Sequence, residues 1–395
     1  MKREKKFWIF VTVLVSFLCT AVGLEAQEIK FDGYVNSGLG LWISNETNKD
    51  DPMVMVYGVD SGRFVGRFRL NGSYTNRSKN AGINFRIQSQ GRGVGPDNPA
   101  NALSLAFGYA WVRLLDMINI KAGLVNDTTW RTGDVIFDDD QGEGVGALFR
   151  VSPIEGLDLG FGAFVGSYGT ASRNNFLDRL DEQLKWDDVK YTFNMAYTMD
   201  KTFRFMASYR THNETGGDVE DNGSSQVLAE LRLLAVDNLT AVVVGRIDGL
   251  EEKGGRKFDE NGTISFYETF DYKMGALRFG LNAAQYVSNE NGADLGLLFN
   301  PWVNYTFSEG NIVPRLDLAY FMGGERGNDT NYDRLAFVAN YDRDSYVMNI
   351  RPSVKLNLDS RNSFEIGDSI YYSKQSNSID SVIINVVYID LAARF

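Results

Sequence analysis

The 395-residue sequence closes with residues 386–395, Val-Val-Tyr-Ile-Asp-Leu-Ala-Ala-Arg-Phe. Every second residue is apolar, and the intervening positions carry Asp390 and Arg394; the apolar series is Val387, Ile389, Leu391, Ala393 and Phe395. Because strand side chains alternate between two faces, this stretch predicts a strand with one apolar face. Termini of water-soluble domains usually fray, whereas the last strand of a membrane barrel pairs with the first and turns one face to lipid.

The other end of the sequence predicts export. Residues 1–6 are basic, residues 7–24 form an apolar run, and Ala26 supplies a small residue before a cleavage point, as in a secretory signal peptide. This interpretation divides the chain into a signal peptide, 1–26, and a single barrel domain, 27–395; the alternative is an uncleaved membrane anchor, and the cleavage point stays open. Beyond this run, no stretch approaches the roughly 18–20 apolar residues of a membrane-spanning helix.

The composition fits a barrel better than a bundle of membrane helices. The chain has 40 Gly, only 7 Pro and 13% aromatic residues, and its mean hydropathy is −0.24. Half of each barrel strand faces water, so such chains look only mildly polar overall. The net charge of −11 argues against nucleic acid as a partner. Cys19 lies in the predicted signal peptide, so the exported chain is expected to close without a disulfide.

Period-two alternation recurs along the chain and predicts about eighteen strands, or about sixteen if two segments are loop hairpins. Short links such as 153–156 alternate with long links such as 167–189. A soluble sandwich or propeller also alternates but lacks this rhythm of links. The sequence therefore predicts an all-β protein, a transmembrane antiparallel up-and-down β-barrel of the outer membrane, with short periplasmic turns and long extracellular loops.

Residues 61–75 show which face of a strand meets the lumen. The even positions, Phe64, Phe68, Leu70 and Tyr74, suit lipid, and the odd positions include Arg63, Arg67 and Arg69. An arginine on the lipid face at mid-depth would cost roughly 2–4 kcal/mol, so the arginines are expected to face the lumen. On the next strand Ile83, Phe85 and Ile87 point outward, and Arg86 adds to the basic wall. The same reasoning predicts further lumen residues: Lys121, Arg150, Arg204, Arg210, Glu230, Arg232, Arg246, Arg278, Arg315, Asp317, Arg351 and Lys355.

An acidic link follows the fifth predicted strand. Residues 127–143 carry Asp134, Asp138, Asp139, Asp140 and Glu143. Folded into the barrel, this link would oppose the basic wall and create a constriction that filters solutes by charge and size. The alternatives are a solvated surface loop or a loose cation site, although the spacing does not match the calcium-loop pattern. Structural ion pairs are likewise the alternative to a selectivity role for the arginines.

Three stretches carry a family resemblance. Residues 106–130 resemble part of a Gram-negative outer-membrane porin, with Tyr109, Val112, Leu114 and Gly123 in comparable positions, and residues 31–40 are similar to the first strand of general and sugar-specific porins. The terminal Phe395 resembles the ending that such proteins present to the barrel-assembly machinery. The resemblance implies a passive diffusion channel for ions and small hydrophilic solutes, usually a homotrimer, whose third loop folds inward. A general-porin Pro-Glu-Phe-Gly-Gly run is lacking in that loop.

Other functions find less support in the residues. The sequence has a single histidine, His212, no Gly-x-Ser-x-Gly motif and no cluster of metal ligands, so we expect neither an enzyme nor a metal or other cofactor. The first predicted strand starts too early for a plug domain. An adhesin or receptor that acts through long loops such as 167–189 and 324–344 stays open as the alternative function.

Overall fold

The computed structural model describes residues 28–44, 53–57, 59–60, 63–64, 67–89, 103–136, 141–165, 189–211, 225–248, 263–288, 296–307, 310–322, 346–374 and 381–395. Eighteen antiparallel strands form one closed barrel, which confirms the predicted fold and excludes the count of sixteen. Within the described ranges, no helix is long and apolar enough to cross a membrane.

The barrel strands are β1 (Glu28–Ser44), β2 (Arg67–Thr75), β3 (Ala81–Ser89), β4 (Leu103–Leu114), β5 (Ile118–Asn126), β6 (Glu143–Ile154), β7 (Leu157–Val165), β8 (Val189–Met199), β9 (Phe203–Arg210), β10 (Gln226–Leu233), β11 (Leu239–Asp248), β12 (Thr263–Met274), β13 (Leu277–Ser288), β14 (Gly296–Tyr305), β15 (Ile312–Met322), β16 (Tyr346–Asn357), β17 (Asn362–Lys374) and β18 (Val382–Arg394). Each strand pairs with the next in sequence, and β18 returns to β1.

The links between strands fall into two groups at opposite ends of the barrel. At the short-link end they run from two residues, 155–156, to six, 306–311. At the long-link end they run from seven residues, 289–295, to 23, 323–345. Tight turns at the short-link end use positive φ angles, as at Leu115 (52°) and Asp116 (55°), which match the twist of a hairpin. The alternation predicted from the sequence is therefore confirmed.

The two end strands close the barrel along a continuous seam. Tyr34 to Ser44 of β1 lie opposite Arg394 to Ile384 of β18. One residue further, Gly33 and Phe395 exchange two backbone hydrogen bonds, each of 3.0 Å. On its other side β1 pairs with β2 over Glu28–Asn36 and with the short piece Met53–Tyr57 over Gly38–Trp42. Both edges of β1 are thus satisfied over these pairings.

One predicted strand is shorter than expected. The alternation over 61–75 predicts a single strand, but β2 begins at Arg67, and Arg63–Phe64 forms a two-residue piece paired with Val59–Asp60. Gly66 directly precedes β2 in the sequence, and glycine weakens the interior of a strand.

The register fixes which side chains face outward. Residues opposite each other on antiparallel strands point to the same face of the sheet. Val387 and Leu391 of β18 are exposed and face outward, and the register then identifies the outward-facing residues of each neighbouring strand in turn. The outward face is apolar: Phe68, Leu70 and Tyr74 of β2 and Ile83, Phe85 and Ile87 of β3 lie on it, as predicted. The twelve further residues predicted for the lumen, from Lys121 to Lys355, all lie on the inward face.

Candidate functional site

The link between β5 and β6 folds into the lumen. We call residues 127–142 the constriction loop; residues 127–136 and 141–142 of it are described. At its base Asp127 is 2% exposed and caps a short 3₁₀ turn, Thr128–Trp130, by accepting a hydrogen bond from the Thr129 backbone N–H at 3.0 Å. Lys121 on β5 approaches the Asp127 carboxylate at 3.1 Å, and Arg150 on β6 lies 4.0 Å from it. These cations hold the loop base against the inner wall.

Trp130 pins the loop to the wall. Its ring is fully buried and lies over Gly160 of β7, next to Asn194 of β8. A Cβ atom on Gly160 would lie 2.6 Å from Trp130 Cζ2, which is closer than real Cβ atoms approach another atom. It would also lie 3.3 Å from Asn194 Cβ. Gly160 is therefore a socket that only glycine can form.

Further along, the loop is hydrogen-bonded to side chains of β9, β10 and β12. Arg204 Nη2 donates to the Thr129 carbonyl at 2.6 Å, and its guanidinium pairs with Glu230. The Gly133 backbone N–H donates to the Glu230 carboxylate, and the Val135 N–H donates to Thr269 Oγ1 at 3.0 Å. Since Arg204, Glu230 and Thr269 lie on the inward face, the loop crosses the lumen rather than projecting into solvent.

Apolar side chains on the inner wall also pack against the loop. Trp130 and Ile136 of the loop belong to one buried cluster with inward-facing side chains of β6, β7, β9 and β10, namely Leu148, Phe164, Met206 and Leu228. Burial of these side chains supplies a non-directional attraction that complements the hydrogen bonds. The loop is therefore packed against the inner wall as well as hydrogen-bonded to it.

The predicted acidic residues of the loop have different environments. Asp134 is 3% exposed within the loop. Glu143 is the first residue of β6 rather than part of the link, and its carboxylate accepts a hydrogen bond from the Asn126 amide. Asp138, Asp139 and Asp140 lie outside the described residues.

Two residues of the predicted basic wall, Arg69 and Arg86, lie on the inward faces of β2 and β3. Arg69 Nε donates to Gln88 Oε1 at 3.1 Å, and its guanidinium lies 5.2 Å from the centre of the Tyr34 ring. Arg86 Nε donates to Asn71 Oδ1 at 2.8 Å, and its guanidinium lies 4.8 Å from the Phe107 ring. Amides and rings orient a guanidinium without cancelling its charge. The side chains of Arg63 and Arg67 lie outside the described part of the chain.

Guanidiniums elsewhere in the lumen are paired with carboxylates. Arg246 lies 2.6 Å from Asp248, and Arg278 pairs with Asp271. Asp317 binds both Arg315, at 2.6 Å, and Arg351, at 3.4 Å. β2 and β3 stand nine strands from β11 and β12 in a ring of eighteen, so these walls face each other. Arg246 of β11 and Asp271 of β12, on the second of these walls, both take part in ion pairs.

The sequence left open whether this link lies in the lumen or in solvent, and it did not predict the residues that hold the link in place. Trp130 and Gly160 were not predicted, although a tryptophan inside an otherwise polar link is a signal for an anchored loop. Arg204 and Glu230 were predicted for the lumen, without their contacts to the loop. His212 falls outside the described residues. Within the described ranges, no group of three or more His, Cys, Asp or Glu residues is placed to hold a metal ion.

Comparison with solved structures identifies the fold. The chain is similar to OprD of Pseudomonas aeruginosa, with a TM-score of 0.55 and 12% identity over 95% of each chain. It is also similar to OccK11 of Pseudomonas aeruginosa, with a TM-score of 0.55 and 12% identity over 95% of this chain and 98% of the other. OccAB1 of Acinetobacter baumannii gives a TM-score of 0.53 and 11% identity over 92% of this chain and 97% of the other.

No protein-family model matches the sequence, and no curated protein matches it at the sequence level. The chain nevertheless has the fold of the eighteen-stranded outer-membrane porins, as its resemblance to that family implies. With its closed ring of strands and apolar outward face, it is a multi-pass β-barrel of the outer membrane.

Proposed function

We propose that this protein is a porin, a water-filled channel through which ions and small hydrophilic solutes diffuse passively across the outer membrane. The observation that carries the proposal is the constriction loop, which is held inside a closed barrel by side chains of its neighbouring strands β5 and β6 and of β9, β10 and β12. A loop held there narrows a pore and fixes its cross-section. In a barrel without an open pore, a loop held at this position would have no channel to narrow.

The export signal in residues 1–26, the homotrimer and delivery by the barrel-assembly machinery are also part of the proposal. They are supported by the sequence pattern at the start of the chain, by the resemblance to porins and by the terminal strand that ends in Phe395. An adhesin function would depend on links such as 167–189 and 324–344, which lie outside the described residues except for Val189.

Single-channel recording tests the proposal. The refolded chain, added to a planar bilayer, should give conductance steps of one defined size. Heat-modifiable, folded protein that gives no steps would overturn the channel function.

A further inference from the structure

A tryptophan with two arginines beside it lines the lumen on β13 to β15. Trp302 of β14 lies on the inward face, is partly exposed, and has its ring over Gly280 of β13. A Cβ atom on Gly280 would lie 2.6 Å from Trp302 Cζ2, so the missing side chain lets the ring rest against the wall. The guanidinium carbons of Arg278 and Arg315 lie 5.6 and 4.6 Å from the centre of that ring. The wall and the two guanidiniums together fix the position of the indole.

Each arginine has unused hydrogen-bond donors although it is ion-paired. Arg278 donates from Nε and Nη2 to Asp271, and Arg315 donates from Nε and Nη2 to Asp317. A guanidinium has five donor N–H groups. Within the described residues, Nη1 of neither arginine has a hydrogen-bond partner, and the two side chains are 52% and 36% exposed. Both strands that flank Trp302 therefore present donors to the lumen.

An amide completes the arrangement. Asn304 of β14 lies directly opposite Arg278 on one side and Arg315 on the other, so these three residues form one row. Trp302 is the next inward-facing residue of the same strand towards the long-link end. The Asn304 side chain is partly exposed and makes no hydrogen bond to any other described residue. Its amide can therefore both donate to and accept from a solute.

These groups match a neutral carbohydrate better than an anion. A sugar ring has an apolar C–H face that packs on the negative π face of an indole. Its hydroxyl groups can accept from the guanidiniums and can both donate to and accept from the amide. An anion, by contrast, would approach the carboxylates of Asp271 and Asp317, which already pair with the guanidiniums, and it could not donate to the amide oxygen.

We propose that four side chains form a binding site for one ring of a neutral carbohydrate: Arg278, Trp302, Asn304 and Arg315. The site lies near the short-link end of the lumen, because Arg278 is the second residue of β13 and Asn304 the last but one of β14. The inference rests on the proposed channel function and names the class of solute that the channel retains. A site on the path of diffusion raises the local concentration of its solute inside the lumen.

Calorimetric titration with maltotriose tests the site without using conduction. The refolded protein, in a detergent without sugar headgroups, should bind maltotriose, and Trp302→Ala should bind it about tenfold more weakly because the stacking surface is lost. The matched control is Trp111→Ala, which should bind like the parent. Trp111 also lies inward over a glycine, Gly82, but within the described ranges no arginine lies beside its ring. Folded parent protein that binds no maltotriose, or equal affinities of the two variants, would overturn the proposal.

A second variant separates the site from the fold. Because Asn304 has no hydrogen-bond partner among the described residues, Asn304→Leu should leave the yield of heat-modifiable barrel unchanged while maltotriose binding falls several-fold. Parent-like binding by this variant would contradict the role of the amide in the site.

Benzoate, which offers a ring and a carboxylate, is the rival probe. Tighter binding of benzoate than of maltotriose would overturn the assignment to a neutral sugar. Defined conductance steps from folded protein that binds no maltotriose would refute only this site. Binding of maltotriose without conductance steps would support the site and overturn the channel function.

Discussion

At the residue scale, the environment of each arginine decides what it contributes. Arg69 and Arg86 are oriented by Gln88 and Asn71 and by aromatic rings. Arg278 and Arg315, by contrast, lie on either side of the Trp302 ring, and each also has its own carboxylate. Arg69 and Arg86 both lie on the inward face and carry positive charge, so we expect their replacement to change ion selectivity.

The double variant Arg69→Gln/Arg86→Gln should shift the reversal potential in a salt gradient toward cations, because two charges leave the lumen while the hydrogen-bonding capacity stays. The matched control is Arg69→Lys/Arg86→Lys, which keeps both charges and should keep the parent's sign. Equal reversal potentials for the glutamine and lysine variants would show that the wall does not set selectivity.

A second prediction at this scale concerns the loop socket. Trp130→Ala should remove about 3–5 kcal/mol of loop anchoring, the usual cost of truncating a buried aromatic ring, and Gly160→Leu should displace the same ring by steric overlap. Both variants should give larger and less uniform conductance steps. Gly245→Ala is the control, since a Cβ there meets only the Phe266 ring at 3.6 Å. Parent-like steps from Trp130→Ala would refute the anchoring role.

At the scale of elements, the constriction loop depends on one carboxylate of β10. Glu230 is 1% exposed and binds Arg204, Arg232 and the Gly133 N–H. Glu230→Ala leaves a partly buried guanidinium without its partner and should destabilise the docked loop by about 3 kcal/mol. We expect frequent sub-conductance flicker in single-channel records. The control Arg246→Ala removes a charge from the next strand and should change ion selectivity without adding flicker.

The link between β16 and β17 is held by hydrogen bonds to one carboxylate, that of Asp359. Asp359 accepts hydrogen bonds from the Asn362 side chain and from the backbone N–H groups of Arg361 and Asn362, which lowers the pKa of its carboxyl group. A lowered pKa means that the turn gains stability above the ordinary range of an aspartate and loses it as the pH falls through the lowered value. The protection of the Asn362 amide, measured as its exchange rate relative to the intrinsic rate at the same pH, should therefore be high at neutral pH and fall in acid. In Asp359→Ala the protection should be low throughout.

Some elements were predictable from the sequence and others were not, for physical reasons. Lipid on one side and water on the other impose period two, so the faces of β2, β3 and β18 follow from alternation alone. The position of the constriction loop does not follow from alternation, because it depends on which strands, distant in the sequence, line the same part of the lumen. A signal was nevertheless present: residues 239–248, Leu-Thr-Ala-Val-Val-Val-Gly-Arg-Ile-Asp, are apolar on both faces near their middle. An apolar inward face in a wet barrel indicates that something covers it.

At the scale of the whole molecule, the seam that closes the barrel ends at the pair Gly33 and Phe395. A Cβ on Gly33 would lie 2.2 Å from the Arg69 carbonyl oxygen and 2.6 Å from the Phe395 ring. Gly33→Val should therefore lower the yield of folded, heat-modifiable barrel severely. Val35→Ala, two residues along on the same outward face, should reduce it only slightly. Equal yields of the two variants would show that the seam tolerates a side chain at residue 33.

The seam also sets an order of events. β1 has β18 as its neighbour, so its hydrogen-bonding edge stays open until the seventeen other strands exist and have been arranged around the ring. An open edge of eleven paired positions, Tyr34 to Ser44, is a ready template for pairing with a wrong strand or another chain. During its biogenesis this protein is therefore at greatest risk at its first strand, and a factor that shelters that edge would protect the whole barrel.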